Sequence, residues 1–149
     1  YERQQKANEL RTLLEKELAK AHIEAKFTWD IGATENEMQE ALLLIRQAQW
    51  RWDFGVSSHG DSFHAPQETM RILGHGLNKV FQARMLISKV LVAHGYTDNV
   101  PLPDITTKEK AQQYIGLDMA VEKADKDKFL KEIVPEWLQK AKANGRIVN

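Results

Sequence analysis

The sequence predicts an all-α protein made of long antiparallel helices with no sheet. Three observations lead there. Apolar residues recur at three- and four-residue steps over long uninterrupted stretches. Threonine-led capping patterns, glycines and prolines mark where those stretches start and stop. No segment alternates with period two convincingly enough to predict a strand. At 149 residues the chain is long enough for a sizeable core, and it reads as a single all-α domain over 1–149.

The first helix is expected over residues 2–29. Leu10, Leu13, Leu14, Leu18, Ala21 and Ala25 form its apolar stripe, and neither Gly nor Pro interrupts it. At 1.5 Å per residue it would be roughly 40 Å long. Gly32 follows, where a left-handed residue commonly ends a helix. Thr34-Glu35-Asn36-Glu37 is a capping-box pattern opening a second helix over about 35–56. Met38, Ala41, Leu42, Ile45, Ala48, Trp52 and Val56 make one face, while Leu43, Leu44 and Trp50 fall outside it. An apolar surface this wide implies cover on two sides, from a neighbouring helix or from a partner.

Gly55, Ser57, Ser58 and Gly60 are expected to break the second helix, and Pro66 to restart the chain as a third helix over about 66–94. Met70, Leu73, Leu77, Val80, Phe81, Ile87 and Leu91 lie at helical spacing. Gly74-His75-Gly76 costs the helix propensity, and small residues there would admit a neighbouring backbone or a flat cofactor. A loop with Pro101 and Pro103 spans 95–106. Thr106-Thr107-Lys108-Glu109 reads as a second capping box, before a short helix ending near Gly116. A last helix over about 117–143 carries three i,i+4 pairs, Glu122/Lys126, Asp127/Lys131 and Glu136/Lys140. Pro135 should kink or split it.

Lys plus Arg and Asp plus Glu number 21 each, and this balance argues against a nucleic-acid or anionic-membrane binder. No run of about 18 apolar residues exists to span a membrane. There is no cysteine, which excludes disulfides, thiolate metal sites and covalent haem attachment through Cys-x-x-Cys-His within this sequence. The chain opens at Tyr1 with neither Met nor a leader, and reads as a piece of something longer.

The stretch Gln47–Pro66 concentrates the chemistry. Trp50, Trp52, Phe54 and Phe63 stand there beside His59 and His64. His64 lies close before the helix-starting Pro66, so the backbone fixes its direction. Two readings stand open: both histidines plug a helix corner, or a fixed histidine beside aromatics binds a metal or haem iron. Carboxylate-bridged metal bundles need paired Glu-x-x-His motifs, and none occurs. Ser57, Ser58, His59 and Asp61 could be assembled into a hydrolytic set, but the strand-turn-helix context and oxyanion site are missing. His22, His75 and His94 read as surface or packing residues.

Several strings closely resemble the C-terminal part of the ammonia-forming cytochrome c nitrite reductases, the periplasmic pentahaem family. They are Ala21-His22-Ile23-Glu24-Ala25-Lys26, Trp29-Asp30-Ile31-Gly32-Ala33-Thr34, Arg46-Gln47-Ala48-Gln49-Trp50-Arg51-Trp52-Asp53, Ser58-His59-Gly60 with His64-Ala65-Pro66, Pro101-Leu102-Pro103-Asp104-Ile105, Thr107-Lys108-Glu109-Lys110-Ala111 and Val134-Pro135-Glu136-Trp137. They run in order across essentially the whole chain. The resemblance implies a six-electron reduction of nitrite to ammonia by the parent, haem c as cofactor and a homodimer formed through the long helices. It makes His64 a distal axial ligand to an electron-transfer haem iron, with Trp50, Trp52, Phe54 and Phe63 as candidate haem walls. His59 keeps the corner-plugging reading. The catalytic haem and its Arg, Tyr and His residues, the calcium site and the haem-attachment motifs would belong to a preceding haem domain, a partner within the same parent chain. The piece alone is then expected to be inactive. The rivals are a haem-free helical interaction module and the tail of another multihaem oxidoreductase.

Overall fold

Long helices form because their apolar positions keep the 3.6-residue period without interruption. The computed structural model describes residues 2–58 and 60–147, leaving the side chains of Asp61 and Ser62 undescribed. Every regular element among the described residues is helical, in agreement with the expected class. The helices are α1 (Glu2–Asp30), α2 (Glu35–Ser57), α3 (Asp61–His64), α4 (Pro66–Ala93), α5 (Lys108–Tyr114), α6 (Met119–Lys128) and α7 (Val134–Ala143), with a π-helical turn at Phe129–Ile133. Where the sequence reads as one domain, contacts divide the chain into two units, Tyr1–Leu102 and Pro103–Asn149.

The first unit is a three-helix assembly in which α4 packs along both α1 and α2. Its directions follow from which residues meet. Leu73 and Gly76 of α4 lie against Gly55 and Arg51 of α2, and His94 just past α4 reaches Glu37 at the start of α2, so these two helices are antiparallel. Gly76 meets Leu14 and Arg84 meets Glu17 and Glu24, so α1 and α4 run parallel. The core is the predicted stripe. Leu14, Leu18, Ala21 and Ala25 of α1 join Met38, Ala41, Ile45 and Ala48 of α2 and Leu73, Leu77, Val80, Ala83, Ile87 and Leu91 of α4. Leu13 and Phe81, predicted for the same stripes, instead point outward.

Local chemistry sets the ends. Gly32 has φ +98°, and the amides of Gly32 and Ala33 donate to the carbonyls of Trp29 and Thr28, closing α1 with a Schellman motif. The capping box at α2 forms as expected: the Glu37 amide donates to Thr34 Oγ1 at 3.4 Å, and the Thr34 amide donates to Glu37 Oε2 at 2.7 Å. Gly55 does not break α2, which continues to Ser57. Its missing Cβ makes room instead, since a methyl there would lie 2.9 Å from Leu73 Cδ2. Gly76 does the same for α1: a Cβ would lie 2.6 Å from Leu14 Cδ2. The small residues of Gly74-His75-Gly76 thus admit a neighbouring helix at Gly76, while Gly74 faces open space.

The second unit departs from the sequence reading at its first cap and in its ion pairs, and splits at Pro135 as expected. Its first helix is capped by Thr107, whose hydroxyl accepts from the Lys110 amide at 3.3 Å. Thr106 instead donates its amide and its hydroxyl to Asp104 Oδ1, at 3.0 and 2.6 Å. The single last helix becomes α6, a π turn and α7. Pro135 offers no amide and its ring crowds the preceding turn. The wider π turn relieves this, with the Val134 amide donating to the Phe129 carbonyl. Of the three expected ion pairs, only Glu136–Lys140 forms among the described residues, at 2.6 Å. Lys131 lies inside the π turn, where the i,i+4 spacing no longer aligns it with Asp127.

Candidate functional site

The corner between α2 and α4 is built from its backbone outward. After Ser58 the chain turns into α3, whose Phe63 and His64 amides both donate to the Gly60 carbonyl at 2.9 Å. Pro66 then opens α4 at a position where a missing amide costs nothing. The Ala65 carbonyl accepts from both the amide and the hydroxyl of Thr69, at 3.0 and 3.2 Å. His64 is therefore pinned on both sides by backbone hydrogen bonds. Its side chain is exposed, and its imidazole makes no hydrogen bond or ion pair among the described residues. The Phe63 ring meets it edge-on, with centroids 5.2 Å apart and planes at 83°. Phe63 itself is 70% exposed. His59 lies outside the described residues.

The aromatic cluster divides. Trp50 and Trp52 are two residues apart on α2, so they occupy nearly opposite faces. Trp52 is half-buried against the core, and its indole N–H is buried without a hydrogen-bond partner among the described residues. Trp50 is 65% exposed and stacks on Phe54, with centroids 6.2 Å apart and planes at 26°. With exposed Leu43 these two rings form a second apolar face of α2, directed away from α1 and α4. Of the candidate wall residues, the structure brings Phe63 to His64 and does not put Trp50 and Trp52 on one surface.

The remaining histidines have other partners or none. His94 Nε2 lies 3.2 Å from Glu37 Oε1, tying the end of α4 to the start of α2. The Thr34 hydroxyl and amide, and then His94, hold the Glu37 carboxyl down at about 2. His22 and His75 are exposed. No cluster of three or more His, Cys, Asp or Glu residues among the described ones could hold a metal ion by itself.

The sequence reading did not single out two further features. Arg84 lies between α1 and α4, with its Nη2 donating to Glu24 Oε1 at 2.6 Å, its Nε to Glu24 Oε2 at 2.8 Å and its Nη1 to Glu17. Glu17 is buried and also takes Lys20 at 2.6 Å. A pair 60 residues apart leaves no local sequence signal. The other feature is Arg11, which lines a cavity of about 180 Å³ with Gln4, Asn8 and Thr69. Its signal was available, since it falls in register with the buried Ala7, Leu14, Leu18 and Ala21.

The family model for cytochrome c552 matches residues 1–145. The chain belongs to the cytochrome c552 family. A cytochrome c-552 of Bacteroides fragilis is 74% identical over 147 residues, covering 99% of this chain and 30% of that protein. Cytochrome c-552 proteins of Bacteroides thetaiotaomicron and Porphyromonas gingivalis are 71% and 63% identical over the same shares. The chain thus spans about 30% of the length of these curated cytochrome c-552 relatives. No helix among the described residues is long and apolar enough to cross a membrane.

A haem-binding role can be tested against the corner itself. An axial ligand must present an uncommitted imidazole nitrogen from a fixed backbone. His64 does so, beside an exposed aromatic ring. The residues present fit the distal side of a haem whose attachment cysteines come from elsewhere.

Proposed function

We propose that this chain is the helical C-terminal part of a periplasmic, ammonia-forming cytochrome c nitrite reductase, and that His64 is the distal axial ligand of one of its electron-transfer haems. The observation that carries the reading is His64 itself, an exposed imidazole with no hydrogen bond or ion pair among the described residues, held at a corner by hydrogen bonds on both sides. Family membership over residues 1–145 supports it. When bound, haem c would supply one-electron transfer. His64 would hold the iron six-coordinate through an imidazole nitrogen, and Phe63 would keep water from that side. Trp50 and Phe54 belong to a different face and suit a second role, contact between two copies through α2. The catalytic haem and the calcium site are assigned to the remaining length of the parent.

The test of the ligand is His64→Ala in the full-length, haem-loaded protein. One haem should change from low to high spin while assembly is retained; an unchanged spectrum removes His64 from the ligand set. The copy-to-copy role predicts self-association, and a strictly monomeric mass by light scattering at high concentration would count against it.

A further inference from the structure

The first turns of α1 contain a cation in a position meant for a hydrophobe. Ala7, Leu14, Leu18, Ala21, Ala25 and Thr28 are buried at three- and four-residue steps, except that one step is taken by Arg11. Arg11 is half-buried and makes no ion pair or hydrogen bond among the described residues. The contrast within the same helix interface is sharp. Arg84, also partly buried, meets two carboxylates. Withdrawing a charge from water without a counter-charge is unfavourable, and buried charges in proteins are normally paired. Arg11 therefore calls for an anion that these residues do not supply.

The surroundings describe that anion. Arg11 opens into the cavity of about 180 Å³, alongside the amides of Gln4 and Asn8, which also lack hydrogen-bond partners among the described residues. Thr69 and Leu73 of α4 form the opposite wall. A planar guanidinium flanked by amide donors matches a carboxylate, which it can take in two parallel hydrogen bonds. The cavity adjoins the His64 corner. Thr69 is the residue that pins the Ala65 carbonyl, and α3, which carries His64, packs against both α1 and α4. Haem carries two propionate carboxylates on one edge.

We infer that Arg11, assisted by Gln4 and Asn8, binds a propionate carboxylate of the same haem whose iron is held by His64. This rests on the proposed ligand role of His64. Arg11 would act as a positioning residue. Its positive charge favours the reduced haem, and its hydrogen bonds keep the propionate ionised.

The experiment is a spectroelectrochemical titration of the full-length, haem-loaded protein carrying Arg11→Gln, Arg11→Lys or His64→Ala. With Arg11→Gln, every haem should keep its spin state. The haem that turns high-spin in His64→Ala should become harder to reduce by about tenfold in equilibrium constant, or about 59 mV for one electron. Its potential should also gain a dependence on pH between about 5 and 7, falling as pH rises, because a propionate without its cation takes up a proton on reduction. Arg11→Lys should restore most of the potential, which a purely structural role would not do. If His64→Ala changes one haem and Arg11→Gln moves no potential, the propionate site is overturned and the ligand reading survives. If His64→Ala changes no haem, both are overturned.

Discussion

Leu14 in α1 is fully buried, whereas Leu130 in the π turn is about half exposed, although both are leucines on helical backbone. The same contrast holds between their units. The first interlocks three long helices around one apolar cluster, with Arg84 bridging α1 to α4 and His94 bridging α4 to α2. The second buries no described residue, and its ion pairs among the described residues, Lys110–Asp104 and Lys140–Glu136, join near neighbours in the chain. Its one ring contact among the described residues, Phe129 against Trp137, spans the π turn. Amphipathic sequence makes helices in both units, but only the first sets apolar stripes against one another. Helices of seven to ten residues are marginal without such packing.

Substitutions can break this comparison, beginning with the largest effect. Leu14→Ala should cost about 2–5 kcal/mol in denaturant unfolding, because a buried side chain is lost and a cavity is left. A cost below about 1 kcal/mol would mean that the three-helix core is not the stabilising element. Arg84→Ala leaves Glu17 buried with only Lys20 beside it. It should cost about 2–3 kcal/mol, less than for a fully buried pair because Arg84 is partly open to solvent.

The two glycines of Gly74-His75-Gly76 should respond with opposite signs. Gly74→Ala adds a methyl in open space and should stabilise by about 0.5–1 kcal/mol through helix propensity. Gly76→Ala drives a methyl into buried Leu14 and should destabilise by about 1 kcal/mol net, overpacking outweighing propensity. Equal effects at both sites would contradict the close approach of α1 and α4. Leu130→Ala should fall within about 0.5 kcal/mol of the parent, as expected for a surface position.

Acid titration separates the units by what each contact joins. Glu37 and Asp104 are both held down at about 2, mainly by hydrogen bonds from Thr34 and from Lys110, respectively. Folded values below the usual 4.5 and 3.8 mean that each contribution to stability is present at higher pH. It is lost as pH falls through about 2. Carboxyl NMR should show both midpoints there. His94→Ala should raise the Glu37 midpoint only slightly, because Thr34 dominates; a return to 4.5 would make the cross-helix contact the main cause.

Much of the site could be read before any coordinates. His64 stands close before Pro66 among aromatics, and the structure pins its backbone at the corner with an imidazole that makes no hydrogen bond or ion pair among the described residues. The wide apolar surface of α2 was also visible, and it resolves into a core face and an outward face carrying Leu43 and Trp50. The division of the aromatic cluster was legible too, because Trp52 lies on the expected apolar stripe of α2 and Trp50 falls outside it. On a helix, two positions two residues apart diverge.

Sequence by itself determined the helices, most of their ends, the core stripe and the histidine corner. All of these follow from local periodicity, capping geometry and the fixed backbone of proline. Only tertiary structure decided that Gly55 and Gly76 serve close packing, that Arg84 bridges Glu17 and Glu24, and that Arg11 meets no counter-charge among the described residues. Those outcomes depend on which residues meet across 18 to 67 positions of chain. No local pattern encodes such meetings, because burial and pairing are properties of two surfaces and not of one.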